Sequence, residues 1–99
     1  MIAKIQSIHF DADQKLLLMI QERLDKLAET LKLRQLNANV ILKMEKVAKI
    51  QDKIVEIIIK LPGKACVART SSKSFEAAVK KAVDIIKVQI LKHKDRIQS

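Results

Sequence analysis

Lysine is the commonest residue able to do chemistry in this 99-residue chain, and four of the lysines are regularly spaced. Lys73, Lys80, Lys87 and Lys94 recur every seven residues, about two helical turns. At 100° per residue each lies about 20° behind the last, so on a helix they form one slowly drifting stripe that flanks the apolar face. Lys81 and Lys92 make a second line on the opposite shoulder. A stripe of ammonium groups is suited to neutralising the phosphates of a polyanion. The plainer alternative is a solvated helix face, and Asp84, four residues from Lys80 and three from Lys87, favours it through local ion pairs. Arg23 and Lys26 form a smaller cationic pair among Glu22, Asp25 and Glu29. That patch is close to neutral, and surface pairing worth a few tenths of a kcal/mol is its plainer reading.

Catalytic chemistry finds little to work with. His9 and His93 are far apart, and Cys66 without a neighbouring His makes no zinc motif. Cys66 alternates into an apolar strand, as a small core residue does. Asp11 and Asp13 sit where a helix start needs side-chain acceptors, so they read as caps and not as an acid–base pair. Gly63 is the only glycine, which excludes a glycine-rich phosphate loop. The expectation is a protein with no catalytic residues, no cofactor, no metal site and no small-molecule substrate.

Twenty Lys and Arg against 11 Asp and Glu leave a net charge of +9. The excess is uneven. Residues 1–59 hold ten basic and eight acidic side chains (+2), and residues 60–99 hold ten and three (+7). The C-terminal part is therefore the first place to look for a binding face. Hydrophobic residues make up 48% of the chain, too many for a disordered tail. The length suits one domain, residues 1–99, with a single compact core. The lone cysteine fits a reducing compartment. No apolar run reaches the roughly 18–20 residues of a membrane span, and the N-terminus does not read as a signal peptide. These features suggest a cytoplasmic domain, monomeric when free, with no membrane partner.

The elements that must position these charges follow from periodicity. Ile2, Ile5 and Ile8 suggest a strand over 1–10. Leu17, Ile20, Leu24, Leu27 and Leu31 recur at helical steps over 14–32. Asn37-Ala38-Asn39 reads as a connection. Val40, Leu42 and Met44 alternate as a half-buried strand does, and a polar turn follows around 49–52. Residues 54–61 are β-branched, with Val55, Ile57, Ile59 and Leu61 on one face and Glu56 and Lys60 on the other. Pro62-Gly63 makes a tight turn into a short strand over 64–70. Ser71, Ser72 and Ser74 offer caps for a last helix, whose buried face is Phe75, Val79, Ala82, Val83, Ile86 and Ile90. The predicted fold is α+β: one β-α-β-β-β-α domain with a four-stranded mixed sheet and two helices on one face. After its first strand it has the order of a double-stranded-RNA-binding domain. The lack of Tyr and Trp fits structured RNA better than stacked single strands.

Several strings, taken in order, resemble a known family. They are Ser7-Ile8-His9-Phe10, Glu22-Arg23-Leu24-Asp25-Lys26-Leu27, Asn39-Val40-Ile41-Leu42, Leu61-Pro62-Gly63 and Phe75-Glu76-Ala77-Ala78-Val79. Over nearly the whole length the chain is similar to the short ribosome hibernation-promoting factors, also described as ribosome-associated inhibitors or sigma-54 modulation proteins. The resemblance implies a bacterial stress-response protein. It would bind the small ribosomal subunit and its rRNA in the channel that messenger and transfer RNA occupy, and would silence idle ribosomes. Arg23 and Lys26 match the family's basic positions in the first helix, and Lys92 matches one late in the second. Lys73 stands where many members are acidic, and Ile85 and Val88 stand where many are basic, so the general basic face carries over better than individual contacts. The long members' C-terminal domain, which pairs ribosomes, has no counterpart before Ser99.

The RNA-binding candidates are thus Arg23, Lys26, Lys73, Lys80, Lys81, Lys87, Lys92 and Lys94. The alternatives are a protein-interaction module that modulates a transcription factor, and a general double-stranded-RNA binder.

Overall fold

The computed structural model describes residues 1–33, 36–45 and 52–98, with side chains as far as His93. The elements run β1 (Ile2–Ile8), α1 (Gln14–Thr30), β2 (Asn37–Met44), β3 (Lys53–Leu61), β4 (Lys64–Ser72) and α2 (Phe75–Gln98). The four strands form one sheet in the order β1-β2-β3-β4. β1 and β2 are parallel and joined through α1, while β2, β3 and β4 form an antiparallel meander. The α+β reading and its element order therefore hold.

Alternation sorts the two faces of the sheet. Val40 pairs with Ile57, which pairs with Ala68, and the next inward row runs Ala38, Ile59 and Cys66. All six are buried against the helices. From α1 come Leu16, Ile20, Leu24 and Leu27, and from α2 come Phe75, Ala78, Val79, Ala82, Ile86 and Ile90. Removing this apolar surface from water is the main stabilising term. Outward-facing positions in register are Lys4 with Asn39, and Glu56 with Arg69. That open face meets solvent.

Each helix boundary has a local cause. Asp13 caps α1, its carboxylate accepting from the Leu16 N–H at 2.7 Å. The helix ends where Lys32 turns to φ +54, and the Lys32 and Leu33 N–H groups reach back to the Glu29 and Ala28 carbonyls. These two bonds satisfy carbonyls that the helix end would leave free. Ser74 caps α2 by accepting from the Ala77 N–H at 3.2 Å. The Phe10 and Phe75 rings stack with centroids 5.2 Å apart, tying the exit of β1 to the start of α2.

Several details depart from the sequence reading, among them Ser71 and Ser72, which extend β4 and leave Ser74 as the cap. Asn37–Asn39 belongs to β2, because parallel pairing with Ile2, Ala3 and Lys4 recruits it. Leu16, not Leu17, is the buried residue of the first turn of α1. Val83 is only partly buried, at the flank of the core. Most of the turn expected around 49–52 lies outside the described residues.

Candidate nucleic-acid interface

The two helices pack side by side on the sheet, and the groove between them gathers charge from both. Leu27 of α1 turns inward, with Arg23, Lys26 and Thr30 beside it; Val83, Asp84 and Lys87 line the side formed by α2. On α1 the positions 23, 26, 27 and 30 follow helical periodicity, which keeps them on one side. The cavity is about 180 Å³, with an apolar floor, three cations and one carboxylate. Its net charge is positive, and its size suits a phosphate group better than an organic cofactor.

The carboxylates that the sequence sets beside these cations do not pair with them. Among the described residues the ion pairs are the Met1 ammonium with Asp25, at 3.6 Å, and Lys53 with Asp52, at 2.7 Å. Asp25 also accepts from Gln21 Nε2 at 2.8 Å, so it is drawn away from Lys26 and towards the N-terminus. Asp84 makes no ion pair with Lys80 or Lys87. Arg23, Lys26, Lys80 and Lys87 are exposed and unpaired among the described residues. An unpaired cation at a groove can take a phosphate without first breaking a salt bridge.

The structure brings together three of the eight candidates: Arg23, Lys26 and Lys87. Lys80 lies two turns before Lys87 on the same side of α2 and prolongs the basic strip beyond the groove. Lys73 is exposed just ahead of α2. Lys81 is on the other shoulder, where its Nζ donates to the Ser71 carbonyl at 3.3 Å. Lys92 is exposed on that same shoulder, away from the groove, and the Lys94 side chain lies outside the described residues. Thr30 and Val83 are groove residues that sequence reasoning missed. Both carried a signal: Val83 falls at the edge of the apolar face of α2, and Thr30 follows Arg23 and Lys26 at helical spacing.

Cys66 is fully buried, and burial pushes its thiol up despite the opposing charge of Lys64. Asp52 is held below the ordinary carboxylate range, chiefly by its hydrogen bond from Lys53. Among the described residues no group of three or more His, Cys, Asp or Glu is placed to hold a metal ion. Nor is any helix among them long and apolar enough to cross a membrane.

Comparison with family models matches residues 3–98 to the family described as sigma 54 modulation protein / S30EA ribosomal protein. The chain belongs to this family. Among solved structures it is similar to a ribosomal subunit interface protein from Coxiella burnetii, with a TM-score of 0.81 and 21% identity, covering 96% of this chain and 99% of that one. It is also similar to the N-terminal domain of Thermus thermophilus Protein Y, with a TM-score of 0.74 and 20% identity, covering 90% and 93%. Comparison with curated protein sequences gives no match. At these identities the structural likeness speaks for the fold. Within this sigma 54 modulation / S30EA fold, the cationic groove lies between the two helices, on the side away from the open face of the sheet.

Proposed function

We propose that the protein is a ribosome-associated translation inhibitor of the hibernation type. It binds the small ribosomal subunit through its basic helical face, in the channel that messenger and transfer RNA occupy. The observation that carries this reading is the convergence of Arg23, Lys26 and Lys87 on one groove, unpaired among the described residues, in a chain of this family. Membership of a ribosome-associated family supports a cytoplasmic location, and in this proposal the free protein is a monomer that docks as a rigid body.

No bond is made or broken in this mechanism. Rigid helices hold the cations at fixed positions, so phosphates of folded rRNA meet a surface already organised for them. Each contact releases condensed counterions, which supplies affinity without reading a base sequence. Lys80 extends the strip along α2, with Lys73 ahead of it. Inhibition follows from occupancy: a domain seated in the channel excludes the RNAs that would otherwise enter.

The test is co-sedimentation with purified small subunits, with naked duplex RNA and a leaderless messenger as separate competitors. The expected result is saturable binding near one copy per subunit, displaced by messenger and poorly displaced by duplex. Equal competition by naked duplex would make the protein a general double-stranded-RNA binder. Absence from the subunit fraction at low salt would favour a protein-interaction module.

A further inference from the structure

A second hollow, of about 490 Å³, opens on the face of the sheet that the helices leave uncovered. It is lined by Ile2 and Lys4 of β1, Leu36, Asn37 and Asn39 of β2 and its approach, and Lys60 of β3. The register explains the grouping. Ile2 pairs with Asn37, Lys4 pairs with Asn39, and Lys60 follows Ile59, which pairs with Ala38. Side chains two residues apart share a face, so these positions on three adjacent strands project together.

The lining has a distinct chemistry. It holds two lysines and no acidic residue. Asn37 and Asn39 are exposed, and neither side chain makes a hydrogen bond among the described residues. Each carboxamide therefore keeps a donor and an acceptor free, the combination that pairs with the edge of a base. Ile2 is 72% exposed and gives an apolar surface beside them. Lys4 and Lys60 stand two strands and one row apart, about 12 Å at the backbone from a strand spacing of about 4.8 Å. On flexible stems, two ammonium groups this far apart can each take a separate phosphate of one strand. The volume falls in the range that holds a nucleotide.

We propose that this hollow is a second RNA site, which takes one nucleotide of a single strand. The flanking phosphates lie on Lys4 and Lys60, and the base edge lies on Asn37 and Asn39. This inference rests on the reading of the protein as an RNA binder, but it does not use the helical groove. The domain spans 45 × 23 × 19 Å, so two RNA segments on opposite faces are held within a few nanometres of each other. Without an aromatic platform the site binds weakly by itself and acts as a second hold on RNA already engaged.

The test is an amide NMR titration of the full chain with a tetra-adenylate ribonucleotide, adenosine monophosphate and inorganic phosphate in separate arms. The tetranucleotide should shift the amides of Lys4, Asn37, Asn39 and Lys60 saturably. Its log–log salt slope should be about −1.4, two contacts at about −0.7 each for single strands. Lys4→Ala plus Lys60→Ala should flatten that slope, and Asn39→Ala should weaken binding while leaving the slope. Adenosine monophosphate should bind at least about tenfold more weakly, having lost one charged contact. Tetranucleotide shifts confined to Arg23, Lys26 and Lys87, or monophosphate or phosphate binding as tightly as the tetranucleotide, would overturn the proposal. Arg23→Ala plus Lys87→Ala should leave the sheet-face shifts intact while weakening the small-subunit complex. Failure of one site is thereby distinguishable from failure of the other.

Discussion

The carboxamide of Gln89 closes on the backbone of Val67, its Nε2 donating to the carbonyl at 2.9 Å and its Oε1 accepting from the N–H at 3.1 Å. β4 is an edge strand, and for one residue this side chain takes the place of a neighbouring strand. Thr70 Oγ1 donates to the Ala78 carbonyl at 2.6 Å, and Lys81 donates to the Ser71 carbonyl. Together these bonds fasten α2 along the edge and fix which side of the helix turns towards α1. Gln89→Ala should cost about 1 kcal/mol, because both lost bonds are solvent-exposed. In a domain of this size that lowers Tm by about 4–8 °C. It also uncovers a free edge, so sedimentation velocity at rising concentration should detect association. An unchanged melt and a monomer at every concentration would contradict the clamp.

Ile57 sits at the centre of the sheet, fully buried between Val40 and Ala68. Ile57→Ala leaves a cavity that the surrounding strands cannot close, and should cost about 2–5 kcal/mol in chemical denaturation. A loss below about 0.5 kcal/mol would place Ile57 on the open face instead.

Cys66 gives a pH prediction whose sign follows from burial. Its folded-state pKa is raised, so the folded protein keeps the thiol neutral where the unfolded chain ionises. The associated stability is fully present below the unfolded thiol value of about 8.5 and is lost as pH rises through the higher folded value. Denaturation at pH 7.5 and 9.5 should show a larger decline in the wild type than in Cys66→Ala. Equal declines would mean that the thiol ionises freely in the fold, as would rapid reaction with a thiol reagent under native conditions.

Local pattern made much of this fold legible in the sequence. Leu24 and Leu27, Val79 and Ile86, and the alternation from Val55 to Ile59 each identify a buried face from near neighbours alone. Gly63, at φ +78, completes the turn that Pro62 opens. What escaped depends on distant partners. Asn37 and Asn39 are poor strand formers by composition and become strand through pairing with β1 and, at Asn39, with β3. Gln89 is an ordinary polar helix residue until Val67, 22 positions away, is brought beside it. The candidate site was partly legible for the same reason. Sequence supplied Arg23, Lys26 and Lys87, but their meeting across two helices is tertiary. Asp25 looked like a partner for its neighbours and is taken by the Met1 ammonium instead. Lys81, on the opposite shoulder from Lys80, was a candidate for RNA as well, yet it is committed to the β4 edge.

If the groove between α1 and α2 is the RNA-docking surface, small-subunit affinity across a salt series will separate Arg23→Glu plus Lys87→Glu from a matched control. The control is Lys15→Glu plus Lys43→Glu, two exposed lysines that line neither hollow and change net charge equally. Neither pair should move the melt much, since each exposed charge change is worth under about 0.5 kcal/mol. The groove pair should lose most of its affinity and show a salt slope shallower by about 0.7–0.9 per contact removed, while the control keeps both near wild type. Equal losses in the two double variants would reduce the interaction to bulk charge and contradict the assignment.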